Sequence, residues 1–500
     1  MLVIGGTHSG CGKSTVTLGL LAALKRAGHG VQPFKSGPDF IDAGLHGMVA
    51  GRVSRNLDVW MCGEAYVLDC VKRHTAGAGL AVIEGVMGLF DGADRAAGAG
   101  WAAGAGWAAG ADRSTAALAR LLGANIVLVV DAFGMAESAG AVVNGFSTYN
   151  ECGALIRGAI FNRVSSRGHY ERLKGGLPAG VEALGFLPRN DLYKIASRHL
   201  GLAVAEEAPL PPGALEALAD AVTERMDLEK IAALAAGAPA SPGPVSPDVV
   251  PESGPEPSHS RPTARPQPSD CRPTDGPEVR IAVARDRAFC FYYEDNMDML
   301  RAAGARLVPF SPIADRQIPE GVDAIYLGGG YPELAAAELA RNKTMLGAIS
   351  GWAEAGRPVL AECGGFMYLG RGIRDGENFH PLCGVFPIET ELAEKPVLGY
   401  REATLAMDCI LGRKGDKIRG HEFHYSRVVQ CGERPGVRFN ILGEGPAGPA
   451  GEIVSSAAFG AVLGGYTHFH LGSNAGTAGR MVEFIRLGQI QKKERVGWKP

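Results

Sequence analysis

Leu2-Val-Ile-Gly-Gly-Thr-His-Ser-Gly-Cys-Gly-Lys-Ser-Thr15 reads as an apolar strand, a glycine-rich loop and the first turn of a helix. Such a loop turns backbone N–H groups toward phosphate oxygens, and the helix N-terminus adds partial positive charge. Gly10, Gly12 and Thr15 are expected to cradle a nucleotide, Lys13 to reach its outer phosphates, and Ser14 to offer a hydroxyl to Mg²⁺. The strict GxxxxGK[ST] pattern needs glycine at position 7, where this chain has Thr7; its glycine stands one place earlier, at Gly6. His8 is read as a local loop residue.

Outward from this loop the rhythm is that of a parallel sheet with crossover helices. Apolar runs at 2–4, 80–83, 126–130 and 159–161 alternate with helical stretches at 14–27 and 114–122. The second half repeats the pattern, with strands at 280–284, 324–327 and 358–361 and a helix at 296–303. Between the halves lies a stretch of Pro, Ser, Ala and Gly that lacks the apolar density to offset chain entropy. The expected organisation is therefore α/β twice over: a P-loop NTPase-like domain at 1–236, a flexible linker at 237–278 and a second α/β domain at 279–490. A six-residue unit, Ala-Ala-Gly-Ala-Gly-Trp, occurs twice in tandem at 96–107 and begins again. It is too short for a solenoid repeat and is read as a neutral loop expansion carrying Trp101 and Trp107.

Composition narrows the function classes. Five hundred residues carry 50 Lys and Arg against 53 Asp and Glu, a net charge of -3. Nothing here favours a nucleic acid or an acidic membrane surface. No apolar run reaches the ~18 residues of a membrane span, and the N-terminal strand lacks the basic region of a signal peptide. The ten cysteines form no CxxC pair. Reduced thiols and a cytoplasmic location are the expectation.

Two further stretches in the first half carry chemistry. Gln32-Pro-Phe-Lys-Ser-Gly-Pro-Asp-Phe-Ile-Asp42 is read as a post-strand loop. Lys35 there can neutralise a transferring phosphoryl group, and Asp39 can hold Mg²⁺. In Ala81-Val-Ile-Glu-Gly-Val-Met-Gly-Leu-Phe-Asp-Gly92, Glu84 ends an apolar strand, where parallel sheets bind ligands. It is a second candidate Mg²⁺ ligand, and Asp91 is a candidate for the same metal or the substrate. Asn162, after the run at 159–161, could read an adenine edge.

In the second half Pro358-Val-Leu-Ala-Glu-Cys-Gly-Gly365 runs a strand into Cys363 and two glycines. A nucleophile on a sharp strand-to-helix turn needs such small neighbours. A thiol needs a base, and Gly465-Tyr-Thr-His-Phe-His470 offers two imidazoles. Gly329, Gly330 and Gly364 could supply N–H groups to an oxyanion. His421-Glu-Phe-His424 has i and i+3 spacing rather than that of a zinc helix, so it is read as structural.

These motifs carry a resemblance. The P-loop, with its wide glycine spacing and no second lysine, resembles the dethiobiotin synthetase branch. Gly-Gly-Gly-Tyr-Pro-Glu333, Ala-Glu-Cys-Gly-Gly365 and Tyr-Thr-His-Phe-His470 resemble the glutamine amidotransferase domain of cobalamin-pathway amidases, of the α/β class I type. That resemblance implies Cys363 as nucleophile and His468 as base. His470 stands where related enzymes have a Glu and receives no role. Gly37-Pro-Asp-Phe-Ile-Asp42, Ser54-Arg-Asn-Leu-Asp58, Glu84-Gly-Val-Met-Gly-Leu-Phe-Asp91, Phe289-Cys-Phe-Tyr-Tyr-Glu-Asp-Asn296 and Gly420-His-Glu-Phe-His-Tyr-Ser426 extend it to the cobyrinic acid a,c-diamide synthase family, over roughly 1–230 and 280–480.

What the family implies is amidation of two carboxylates of a corrinoid, with ATP and Mg²⁺, through an acyl phosphate. Ammonia would come from glutamine and travel through an internal passage. Hydrogenobyrinic acid and nickel-sirohydrochlorin are the alternative substrates, and a homodimer is left open. Two other classes stand beside this reading: a P-loop switch or scaffold with a dead amidase-like domain, and a glutaminase with a regulatory nucleotide domain. A scaffold releases no glutamate, and a lone glutaminase makes no ATP-coupled amide.

Overall fold

The computed structural model describes residues 1–92, 113–193, 211–237, 276–405, 407–430, 437–441, 444–445, 448–449, 452–456 and 461–497. The tandem repeat expected as a loop at 96–111, and all but the ends of the expected linker at 237–278, lie outside these residues. The described residues before 238 form one compact unit and those from 276 onward another.

The first unit is built on seven parallel strands: β1 (Leu2–Gly6), β2 (Val31–Ser36), β3 (Arg55–Leu57), β4 (Leu80–Glu84), β5 (Asn125–Asp131), β6 (Ile156–Val164) and β7 (Glu182–Pro188). Their order is β3-β2-β4-β1-β5-β6-β7, and every neighbouring pair is parallel. Apolar runs such as Asn125-Ile-Val-Leu-Val-Val-Asp131 are buried on both faces, as sheets sandwiched by helices require. Helix α1 (Lys13–Arg26) buries Val16, Leu20, Leu21 and Leu24 in this core. Each contributes roughly 1.5–3 kcal/mol by leaving water. Because β1 lies mid-sheet, the loops at the carboxyl ends of β1, β2, β4 and β6 open toward one rim. Ligands bind at such a rim in open α/β sheets.

Helix α2 (Phe40–Ala50) changes the reading of 32–42. Lys35 sits on β2 itself, and Asp42 lies in the first turn of α2, so the expected loop is short. Asp39 is the helix cap: its side chain accepts from the Asp42 N–H at 3.0 Å.

The second unit has a seven-stranded sheet whose strands, in spatial order, are Val437–Ile441, Glu452–Ser456, Val462–Gly465, Val359–Glu362, Ala324–Leu327, Val279–Ala284 and Ala305–Phe310. The last five run parallel, and the first two are antiparallel additions. A five-stranded sheet that the sequence reading did not anticipate joins it. It holds Asn378–Pro381, Gly372–Asp375, Ile388–Thr404, Lys417–Gln430 and His468–Phe469. Strand Val462–Gly465 belongs to one sheet and His468–Phe469 to the other, so Tyr466 and Thr467 carry the chain between them.

Candidate functional site

The first cluster gathers at the rim beside α1. Gly12 caps α1 with φ 96°, and a Cβ there would stand 1.9 Å from the Asn162 amide nitrogen. Only glycine lets that amide come so close. Asn162 Nδ2 donates to the Cys11 carbonyl at 3.0 Å, so the donor expected for a base is engaged by the loop. Arg163, at φ 59°, spans from Asp131 at 2.6 Å to the Gly10 carbonyl at 3.0 Å. Lys13 donates to the Met87 carbonyl at 2.5 Å.

Behind the loop, Ser14 Oγ lies 2.6 Å from Glu84 and 3.3 Å from Asp42. Lys35 Nζ donates to Asp42 at 2.7 Å, Glu84 at 3.2 Å and the Gly85 carbonyl at 3.1 Å. Asp39 is farther from that ammonium, at 3.9 Å. His46 Nε2 meets the other Glu84 oxygen at 2.6 Å. Glu84, Lys35, Asp42 and His46 are all buried. Burial opposes the Lys35 charge, but Asp42, Glu84 and Asp39 outweigh it and hold its pKa above the ordinary value. Burial likewise opposes the Glu84 charge, and Lys35 with His46 keeps its pKa low. A hydroxyl and two carboxylates converging here make the hard-oxygen donor set that Mg²⁺ favours.

All of these groups but His46 line a cavity of about 900 Å³ that runs from the P-loop past Asn162 and Arg163 to Pro188, Arg189 and Tyr193. Gly10, Gly12, Lys13, Ser14, Thr15, Lys35, Asp39, Glu84 and Asn162 are in its wall. Asp91 is not. It is exposed and accepts from the Gly88 N–H at 2.9 Å, closing the turn after β4. The sequence reading missed Asp42 and His46. They stand three and seven residues after Asp39, on turns of one helix, a spacing that became legible only once 40–50 was helical.

The second cluster surrounds Cys363, at the end of strand Val359–Glu362. The residue has φ 48° and ψ -103°. A non-glycine residue is held there only by surroundings that over-determine it, at a cost of roughly 1–3 kcal/mol. Its own N–H is spent on the Gly465 carbonyl at 2.7 Å, and Met367 N–H takes its carbonyl at 3.0 Å. Burial pushes the thiol pKa far up, Glu333, Glu422 and Glu362 add to it, and the Gly364 N–H opposes them.

The His468 imidazole packs against the backbone at Gly329, where a Cβ would stand 2.2 Å from its Cε1. Burial, with His424 adding, pushes this imidazole down to about 3. The Gly330 nitrogen is 3.2 Å from the Cβ position of Gly364, so the three expected oxyanion glycines adjoin the turn of Cys363. His421 stacks on His468 with ring centroids 5.0 Å apart, and its Nδ1 meets the Tyr293 hydroxyl at 2.6 Å. His424 instead stacks on Tyr466 at 3.7 Å. His470 caps a short 3-10 turn through the Gly472 N–H at 3.1 Å.

A buried clamp fixes the strand that carries His468. Glu362 takes the Tyr326 hydroxyl at 2.8 Å and the Phe469 N–H at 3.1 Å. Asn296 donates to the Phe469 carbonyl at 2.7 Å and accepts from the Leu471 N–H at 2.8 Å. The residue before Cys363 and the residue after His468 are thus tied together. Neither Glu362 nor Asn296 stood out in the sequence as a site residue, because the backbone groups they hold at Phe469 and Leu471 lie more than a hundred positions away.

Comparison with known proteins gives both units a relative. Residues 2–202 match the family described as the CobQ/CobB/MinD/ParA nucleotide binding domain, and residues 280–476 the CobB/CobQ-like glutamine amidotransferase domain. The chain is 42% identical over 492 residues to a protein of Syntrophotalea carbinolica named cobyrinate a,c-diamide synthase, covering 97% of this chain and 98% of that one. A protein of the same name from Caldanaerobacter subterraneus is 38% identical, covering 86% of each chain. A hydrogenobyrinate a,c-diamide synthase of Mycobacterium bovis is 39% identical, also over 86% of each. No described helix is long and apolar enough to cross a membrane.

Proposed function

Because this chain belongs to the family of cobyrinate a,c-diamide synthases, we propose that it amidates the a and c carboxylates of cobyrinic acid, using ATP and ammonia released from glutamine. A carboxylate does not react with ammonia near neutral pH, since its leaving group is too poor. Transfer of the γ-phosphoryl of ATP to a carboxylate oxygen makes an acyl phosphate and ADP. Ammonia then adds to that carbonyl, phosphate leaves, and the amide remains.

Roles on the first unit follow from charge. Gly10, Gly12 and Thr15 supply loop N–H groups to the phosphates, and Asn162 braces the loop from below. Lys13 leaves the Met87 carbonyl for the outer phosphates. Ser14, Glu84 and Asp42 would hold Mg²⁺, with Asp39 contributing from the start of α2. When bound, that ion would neutralise charge on the β- and γ-phosphate oxygens. Lys35 keeps the carboxylates of this cluster together and lends a second positive charge to the transferring group. His46 fixes the outer oxygen of Glu84, so that the inner one faces Ser14. Asp91, on the loop after β4, is assigned to the approach of the carboxylate substrate.

On the second unit, Cys363 passes its proton to His468 and attacks the γ-amide carbon of glutamine. Gly329, Gly330 and Gly364 would stabilise the oxyanion through backbone N–H groups. Collapse forms the γ-glutamyl thioester and releases ammonia, with the departing nitrogen taking its proton from His468. Water then frees glutamate.

The observation that carries the reading is the presence, in one chain, of a Ser14–Asp42–Glu84–Lys35 cluster beside a phosphate loop and of a strained Cys363 turn adjoining the glycine loop that touches His468. The test is mass spectrometry of products from the full chain supplied with ATP, glutamine and, separately, cobyrinic acid, hydrogenobyrinic acid and nickel-sirohydrochlorin. Two mass shifts of a carboxylate-to-amide exchange on cobyrinic acid are expected. Diamidation confined to hydrogenobyrinic acid, or to the nickel compound, would reassign the macrocycle. Glutamate release with no amide product would overturn the ligase reading.

A further inference from the structure

We propose that Glu333 receives the α-ammonium group of glutamine, and that this contact is what primes Cys363. The proposal rests on the reading of Cys363 as the glutamine-hydrolysing nucleophile and adds to it a subsite for the other end of the substrate.

The loop Leu327-Gly-Gly-Gly-Tyr-Pro-Glu333 lies directly on the nucleophile turn. Gly329 touches His468, and the Pro332 ring stands 2.9 Å from the Cβ position of Gly364. Pro332 thus packs on the turn that follows Cys363, and Glu333 is the next residue along the loop. Three carboxylates act on the Cys363 thiol: Glu333, Glu422 and Glu362, with Glu333 the strongest. Two of these have full sets of partners. Glu422 pairs with Arg401 at 3.0 Å and takes the Thr467 hydroxyl at 3.1 Å. Glu362 is held by Tyr326 and the Phe469 N–H. Glu333 is half-buried and, among the described residues, pairs with no cation. Burial pushes its carboxyl up to about 7, and only its own N–H opposes this.

An unpaired carboxylate beside a nucleophilic thiol works against the thiolate. That disadvantage disappears when a cation arrives with the substrate. Free glutamine carries one, four bonds from its amide carbon, and no other group of the molecule is positive. Seating the ammonium on Glu333 cancels the largest charge that holds the thiol protonated. Proton transfer from Cys363 to His468 then becomes easier only with the right substrate in place. A peptide-bound glutamine or a primary amide without the ammonium leaves Glu333 uncompensated and the thiol inert. The selectivity is thus electrostatic as well as geometric.

The test uses the full chain and two nitrogen donors, glutamine and 4-carbamoylbutanoate, which is glutamine without its α-amino group. Wild-type kcat/KM should favour glutamine by on the order of 10²-fold or more. Glu333→Gln should cut the glutamine value by on the order of 10²-fold and the analogue value far less, so that the preference collapses. The same variant should alkylate at Cys363 with iodoacetamide at lower pH than wild type, since the neighbouring charge is gone. Ammonia-driven amidation reports that the variant is folded. A Glu333→Gln enzyme that keeps the wild-type preference for glutamine overturns the proposal. So does equal loss with both donors while ammonia-driven synthesis persists, because that marks a purely structural role. If ammonia-driven synthesis is lost too, Glu333→Asp is compared in the same way: a selective loss on glutamine supports the subsite, and an equal loss overturns it. A wild-type chain that releases no glutamate from glutamine would instead remove the underlying reading of Cys363.

Discussion

Around Glu84 the buried carboxylates meet a cation: Lys35 touches Asp42 and Glu84, while the His46 ring lies within hydrogen-bond reach of the remaining Glu84 oxygen. Around Cys363 burial does the reverse. The thiol is pushed up, His468 is pushed down to about 3, and Glu362 is pushed up to about 8. Glu84 and Cys363 are both buried, yet one region stores charge and the other suppresses it. The difference matches the reagents each would meet. Phosphates arrive charged, and a pre-paired set of ions can exchange partners with them at little reorganisation cost. Glutamine presents an uncharged amide, and a permanently ionised thiolate would be exposed to oxidation between turnovers.

The comparison breaks most visibly if Glu84 can be spared. Glu84→Gln is expected to lower amidation at least about 10³-fold with either nitrogen donor, because phosphate transfer serves both. Amide formation from ammonium salts is the measurement, and a rate near wild type would take Glu84 out of the activation site. Cys363→Ser should be as severe for glutamine-driven synthesis and for glutamate release, but should leave ammonia-driven synthesis close to wild type. Parallel loss with both donors would show that the two regions are not separable.

A gentler probe sharpens the neutral side. Glu362 is an acid with its folded pKa raised to about 8, against 4.5 for the free side chain. The folded state therefore holds its proton more tightly than the unfolded one, so stability falls as pH rises between those values. Glu362→Gln removes that dependence while keeping an oxygen for the Phe469 N–H. Its stability relative to wild type should improve with pH by at most about 1.4 kcal/mol per unit. Melting temperatures from pH 5 to pH 8 would show the divergence, and parallel curves would mean that Glu362 is ionised throughout. The smallest effect expected is that of Asp39→Ala, about 1 kcal/mol for a lost helix cap, read in thermal unfolding, with a modest change in turnover. Loss of turnover as deep as in Glu84→Gln would instead make Asp39 a principal metal ligand, ahead of Asp42.

Many of the parallel strands were legible as short apolar runs between loops, as in Ala324-Ile-Tyr-Leu327 and Leu2-Val-Ile4, whereas Arg55–Leu57, Glu182–Pro188 and Ala305–Phe310 carry no such run. The five-stranded sheet was not. Strand Ile388–Thr404 is polar along most of its length and half-exposed through its middle, so neither alternation nor an apolar run marks it. The nucleophile and phosphate loops stood out because chemistry imposes glycine at fixed spacing around Cys363 and Lys13. Lys35 and Glu84 were visible for a weaker reason, charge at the end of a strand. Asp42 falls in a stretch that reads as a loop, since Gly37-Pro38 hides how soon the helix begins. Glu362 and Asn296 carry no local signal at all, because what each does depends on where Phe469 arrives.

That last dependence bears on how the protein is made. Cys363 and His468, the proposed nucleophile and base, are separated by roughly a hundred residues of chain, and His468 sits on a two-residue strand that pairs with Lys417–Gln430. At ribosomal speeds of roughly 5–20 residues per second, Cys363 leaves the tunnel some seconds before His468 exists. During that interval the parallel sheet also lacks its Val462–Gly465 neighbour, which supplies the carbonyl that tethers the Cys363 N–H. The nascent thiol is therefore without its base and without the tether that holds its turn. The proposed hydrolytic site is therefore completed late, when one short segment adds a strand to each of the two sheets.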